Sequence, residues 1–541
     1  MKKLLQVIAL AGSIVLLAAC SSGQSPSAGA VGDPTLHLGV SDQMASINPL
    51  DINFFAEGEA DRLLYPYLLE YSPSGKLVGS FAKTWTSSSD GRVWTFTTQA
   101  NAKWSDGRPL TASDAAWTFQ TLLKYQSSVA AFLSFYLANI SQVTAPSPTT
   151  LVVTLSKPTA DVLDNLASLA ILPEHVWASH VGTGGSGLKS LTNLNPNVSG
   201  GPFEMQEFTP NQTAVFSRNP NWFGRKFSVK TVELEFFANP DSAIQALKSG
   251  SVDLLVRPPL NSVAALQNDP NISIQSGVGG EQYNIIMDTD PAKKANRELL
   301  DPKLRYAISL AINRTQLSQI AFGGQLQPAS SMVGPIGGPL RNSSIPGDIY
   351  NPAKANQLLD AAGYARGPGG ERTYKGRPIT LQLFTVTDVE GSTRAFDVIQ
   401  QNLAAVGITI TPDNLDPNAA FTYEGTKQFD MGLFSGSASY DPTPVLLSFT
   451  CASLKSFNPT RFCDPTYDAL FEAQATEANP SQRQQTIWQM QEMLLTQSPE
   501  IVLGYTKGLT IHSSAWTGFQ VLPDGPFSLF SSQGLLSARR T

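Results

Sequence analysis

The stretch FAKTWTSSSDGRVWTFTTQANAKWSDGRPLTASDAAWTF, Phe81 to Phe119, decides the reading of the fold. Arg92 to Thr98 alternates, so Trp94 and Phe96 share one face of a predicted strand. Asp90-Gly91 and Asp106-Gly107 on either side are hairpin-type turn signals, since glycine accepts the positive φ that such turns demand. Thr111-Ala112-Ser113-Asp114 has the spacing of a capping box ahead of the helical run Ala115 to Leu123. There a hydroxyl and a carboxylate each satisfy a free backbone N–H. Strand, turn and capped helix in close succession predict a sheet with a helix laid across it.

Outward from this segment the same alternation continues. Asp301-Pro302, Asn351-Pro352 and Asn479-Pro480 each open a predicted helix, proline being tolerated where no intrahelical hydrogen bond is lost. The first carries Leu304, Ile308 and Ala311 on one face, the second stops at Gly363, and the third buries Ile487, Met490 and Leu494. Ala395, Ile399, Leu403 and Val406 mark a further amphipathic helix, ended by Gly407. Predicted strands are Leu151–Leu155, Val232–Phe236, Tyr283–Met287, Ile379–Phe384, Ile408–Ile410 and Ile501–Tyr505. Interleaved helices and strands give an α/β class with mixed sheets, and no internal repeat is present.

At 541 residues the chain is long enough for more than one folding unit. Hydrophobic residues at 42% and charged residues at 15% describe a globular protein. A net charge of −6 leaves no basic surplus to neutralise phosphates, which argues against nucleic acid as a partner. Lys2 and Lys3 followed by the apolar run Leu4 to Ala19 read as a secretory signal. That run is about 16 residues, where a membrane span needs about 20. Export makes the compartment oxidising, so a disulfide is the simplest account of Cys451 and Cys463. The four histidines, His37, His175, His180 and His512, are scattered and offer no metal-site spacing.

Leu17-Ala18-Ala19-Cys20, with a Ser/Gly/Ala/Pro tether after it, resembles the bacterial lipobox. That resemblance implies a signal peptide over residues 1–19, lipid attachment at Cys20 and a flexible tether over 20–34. In order along the chain, the Phe81–Phe119 block is followed by ILPEHVW (Ile171–Trp177), SGGPFEMQEFTPNQTAVFSRNPNWFG (Ser199–Gly224) and LKSGSVDLL (Leu247–Leu255). LRYAISLAINRTQL (Leu304–Leu317) and YNPAKANQLLDAAGY (Tyr350–Tyr364) come next. Together they resemble the extracytoplasmic solute-binding proteins of peptide and nickel ABC transporters, family 5. Tyr440 to Phe471 is similar to the dipeptide-binding branch, which carries a disulfide at a comparable place. Most of these motif residues, Trp85, Trp104, Asp106 and Gly107 among them, are read as holding a sheet corner together.

The resemblance implies a two-lobed periplasmic-binding-protein-like fold of the class II type, with a hinge. Lobe I would comprise 35–282 and 504–541, with an extra subdomain at about 63–180, and lobe II would comprise 283–503. It further implies a monomer without cofactor, extracytoplasmic and anchored to the cell membrane, in the periplasmic space or on the outer face of the cell membrane. It would capture a solute between the lobes and deliver it to an ABC permease. Peptide-binding members fix the free amine with an aspartate three residues before an acid-proline pair. Here the pair is Asp441-Pro442 and the matching position is Ala438. Asp441 either substitutes for that aspartate or caps the turn before Pro442. Phe434, Ser435, Gly436, Tyr440 and Asp441, with Phe54, Phe55 and Tyr283, are the candidate cleft residues. Peptide is the first ligand class, oligosaccharide or another small solute its competitor, and nickel the weakest because histidine is scarce.

Other classes find less support. Ser80-Phe81-Ala82-Lys83 and Ser186-Gly187-Leu188-Lys189 spell SxxK, but the partner motifs of a serine hydrolase are missing. Gly182 to Gly187 spells GxGxxG after a predicted helix instead of a strand, which reads as a flexible loop. A lipoprotein that signals without feeding a transporter would share every feature above.

Overall fold

The computed structural model describes residues 34–541 except 53, 130–132, 192–196, 388, 427, 456, 521–533 and 536. The signal segment, Cys20 and the tether up to residue 33 lie outside the described residues.

The Phe81–Phe119 segment folds as its turns and cap dictate. Ala82–Ser87 and Val93–Thr98 form a hairpin, closed where Ser88 N–H donates to the Val93 carbonyl at 2.8 Å, and Gly91 takes φ of 68°. Thr150–Leu155 and Ile140–Ser147 complete a four-stranded antiparallel sheet. The second turn closes when Gly107 N–H donates to the Trp104 carbonyl at 2.9 Å, with Gly107 at φ 87°. That geometry leaves Trp104 0% exposed in the core. The helix Ala112–Lys124 starts on the expected box: Thr111 N–H donates to Asp114 Oδ2 at 2.9 Å, and Ser113 N–H to Thr111 Oγ1 at 3.3 Å.

The other helices begin where their caps place them. Asp301, Asn351 and Asn479 each accept a backbone N–H at 2.9 to 3.0 Å ahead of Pro302–Ala311, Pro352–Ala361 and Pro480–Gln497. Ile487, Met490 and Leu494 are buried as one stripe of the last.

An eleven-stranded mixed sheet runs through the molecule. At one end lie Thr409–Leu415, Thr380–Val386 and Met431–Ser437, all parallel. At the other, Leu254–Val256, Thr35–Val40 and Thr231–Phe236 are parallel and two antiparallel strands follow. Two long antiparallel strands, Ile272–Met287 and Glu500–Ser513, join the ends. Their register breaks between Val278 and Gln282, beside Gly279 and Gly280. Sequence reading starts the first of these late, at Tyr283, and stops the second early, at Tyr505, because their crossing halves are rich in polar residues and glycine.

The buried side chains separate accordingly. One cluster gathers Leu36, Trp104, Phe119, Leu234 and Trp516. Another gathers Ile285, Leu304, Ile399, Met431 and Ile501, with a satellite around Leu446, Tyr467 and Ile487. Two separate large cores make a two-lobed α/β molecule. Cys451 and Cys463 are joined in a disulfide with their Cα atoms 4.5 Å apart.

Candidate functional site

Side chains on a strand alternate between faces, and the long strand Ile272–Met287 uses both. Gln282, Asn284 and Ile286 face a cavity of about 510 Å³, while Glu281 and Tyr283 face a second of about 480 Å³. The larger cavity lies between the two cores. Phe135 and Tyr136 come from the side of the four-stranded sheet, and Phe434 to Ser437, Val445 and Phe449 from the other lobe. A smaller space of about 110 Å³ adjoins it, sharing Tyr136, Ser439 and Pro444.

The sequence-predicted residues therefore divide among three walls. Phe434, Ser435 and Gly436 line the large cavity. Tyr440 and Asp441 line the small one, where the Tyr440 ring stacks on Tyr71 at 3.6 Å between centroids. Phe55 and Tyr283 line the cavity on the opposite face, where the Arg257 guanidinium sits 4.6 Å from the Phe55 ring centre. Phe54 precedes the helix Phe55–Leu64 and borders none of these three cavities.

Met431–Ser437 meets the cavity with a backbone edge exposed. Residues Met431 to Leu433 pair with Leu383 to Thr385, and that pairing ends at Leu433. Among the described residues, Phe434 to Ser437 continue to pair with Glu281 to Asn284 on the other side only. Backbone groups along this edge are available to an extended ligand.

Asp441 carries out the turn role. Its Oδ1 accepts from Thr443 N–H at 2.9 Å, and Arg483 grips both oxygens, Nη1 to Oδ2 at 2.6 Å and Nη2 to Oδ1 at 2.8 Å. From the facing lobe, Asp161 and Asp164 approach this pair. Burial and then the Asp441 charge hold both carboxyls well above the usual range. Tyr71 donates its hydroxyl to Asp164. Lobe contact also includes Ala160 N–H to the Ala475 carbonyl at 2.9 Å and Lys157 to Glu472 at 3.0 Å.

Sequence reasoning missed the acid that faces the large cavity. Glu500 pairs in register with Ile286, and its Oε1 accepts from Gln282 Nε2 at 3.1 Å and from the Asn284 amide. Part of Glu500 reaches the cavity surface, yet protein encloses the carboxyl closely enough for burial to push its pKa up to about 7. The signal was available: Glu500 heads the otherwise apolar run Ile501-Val502-Leu503, and a carboxylate on a buried strand is unusual. Glu424 is the cavity's second acid, also raised by burial. Phe135, Phe421 and Phe457 rim the opening, 38%, 69% and 51% exposed.

Among the SxxK and GxGxxG candidates, Ser80 donates its hydroxyl to Glu70 at 2.6 Å and Lys83 is exposed. Gly182 to Gly187 follows the short helix Glu174–Trp177 and a further helical turn, not a strand.

Comparison with known proteins agrees with this architecture. The chain is 27% identical over 425 residues to the nickel-binding periplasmic protein of Escherichia coli K12, covering 76% of this chain and 78% of that one. It is 26% identical over 543 residues to the glutathione-binding protein GsiB of Escherichia coli O1:K1, covering 96% and 97%. The crystal structure of the ABC transporter substrate-binding protein CtaP from Listeria monocytogenes superposes with a TM-score of 0.80 at 19% identity. That match covers 94% of this chain and 99% of CtaP. The model of the bacterial extracellular solute-binding proteins, family 5, matches residues 76–458, and the chain belongs to that family.

Proposed function

We propose that this protein is the receptor of an ABC importer, taking a peptide or similar solute in the large cavity and presenting it to the permease. The observation that carries the reading is the cavity of about 510 Å³ with walls from both cores and the unpaired edge of Phe434 to Ser437. An extended peptide would add to that edge through main-chain hydrogen bonds, which read any sequence. A ligand touching both walls binds the closed arrangement better than the open one, and closure in proportion to that difference is the message to the permease. The role is binding without catalysis by a monomer. Lobe I then spans 35–282 and 504–541 and lobe II 283–503, with the break beside Gly279 close to the crossing. Cys20 in its lipobox-like setting is the attachment point to the membrane.

Thermal unfolding against panels of short peptides, oligosaccharides and nickel chelates tests the reading. A ligand at 100 times its Kd adds about 2.7 kcal/mol to the folded state, enough to raise the midpoint visibly. A peptide response is the expected result. A response confined to sugars or chelates moves the ligand class, and silence from every panel overturns the receptor reading.

A further inference from the structure

We infer that the large cavity selects an organic cation with an apolar arm, seating its ammonium between Glu500 and Asn284; the inference rests on reading this cavity as the ligand site. Glu500 and Glu424 are the charged residues among those described around it, and no Lys, Arg or His accompanies them. A cavity with two acids and no base is unfavourable for an anion and leaves carboxyls wanting a counter-charge. Among the described residues none donates to the buried Asn284 Oδ1 atom, although buried acceptors are almost always paired. It stands beside the Glu500 carboxyl, since Asn284 donates its amide to Glu500. A carboxyl at the cavity surface with a donor-less acceptor beside it calls for a group with several N–H donors on one atom, which is an ammonium. Seating it there returns the hydrogen bonds and charge partner that it loses on leaving water.

The rest of the wall suits the arm. Phe135, Phe421 and Phe457 are exposed large apolar side chains at the rim, with Phe434 and Phe449 deeper. They offer apolar surface and ring faces that also attract a cation. The positions around Asp441-Pro442 offer no free acid. Ala438 is buried among Met332, Leu446 and Phe449, and Asp441 is held in its bidentate pair with Arg483. Glu500 reaches the same cavity from a different strand, so the amine is fixed from the sheet floor and not from the loop before Pro442.

Titration calorimetry of the purified protein near pH 8 with phenylpropylamine and phenylpropanol tests the inference. The two probes share a shape and differ in charge. The amine is expected to bind at least tenfold tighter than the alcohol, and Glu500→Gln to remove that preference while the unliganded protein unfolds no earlier than wild type. Equal binding of the two probes, a preference that survives in Glu500→Gln, or failure of the amine to bind would each overturn it. The wild-type comparison keeps the question decidable even if the variant folds poorly. Binding of a peptide, sugar or chelate that ignores Glu500 would leave the receptor standing and remove the cation. Silence from those as well would remove both.

Discussion

Replacing Glu500 by glutamine keeps the shape and the acceptor oxygen that Gln282 and Asn284 donate to, and removes only the ionisation. Burial raises the folded pKa from the ordinary 4.5 to about 7, while both neighbouring hydrogen bonds act the other way and are outweighed. A carboxyl with a raised folded pKa contributes its full stability below the unfolded value and loses it as pH rises through the folded one. For this shift the loss is on the order of 3 kcal/mol near pH 8 and under about 1 kcal/mol near pH 5. Other buried acids titrate over the same range, but they do so in both proteins and cancel in the difference. Glu500→Gln should therefore gain about 2 kcal/mol on wild type between pH 5 and pH 8, read from urea unfolding with matched slopes. A difference that stays constant across that interval would refute the claim that the fold desolvates this carboxyl.

Two further outcomes follow from the same geometry. Arg483→Met leaves Asp441 without its bidentate partner and with Asp161 and Asp164 facing it; the expected cost is about 3 to 5 kcal/mol near pH 8. Because the Arg483 charge lowers the raised pKa values of Asp161 and Asp164, both take up protons more readily once it is gone, and urea unfolding should show that cost shrinking towards pH 5; a pH-independent cost would contradict the assignment. Gly279→Ala and Gly436→Ala should part company: a Cβ at 279 would lie 1.7 Å from the Thr506 carbonyl oxygen, whereas one at 436 meets nothing within 4 Å. The first should cost about 1 to 3 kcal/mol or more as the long strands are forced apart, and the second under about 0.5 kcal/mol. Equal midpoints in thermal unfolding would show that the strands do not approach at Gly279 as described.

Local chemistry wrote most of the fold into the sequence. Thr111 with Asp114, and Asp301, Asn351 and Asn479 ahead of their prolines, act within three residues of themselves, so a reader of the chain meets cause and consequence together. The strands flanking Asp90-Gly91 are legible for the same reason. The crossing halves of Ile272–Met287 and Glu500–Ser513 are not. Ser273, Gly277, Gly279, Gly280 and Gly508 carry little of the β-branched or alternating signal that marks a strand. They are held extended by each other across more than two hundred residues, and pairing at that range leaves no local trace.

The site divides along the same line. Phe434, Ser435 and Gly436 were readable because they sit in a motif a few residues before Asp441-Pro442, and they do line the cavity. Tyr283 stands on the same strand with the other parity: its neighbours Gln282 and Asn284 face the cavity with Phe434 to Ser437, and it faces the opposite one. A one-residue step along a strand exchanges one wall for another, since the side-chain period is two. Glu500 could be placed only by knowing that it stands in register with Ile286, which depends on the long-range pairing. Motif reading thus finds the segment Phe434 to Gly436 that borders the large cavity. The Glu500 carboxyl lies on the sheet floor, brought to the cavity by register and not by any neighbour in the sequence.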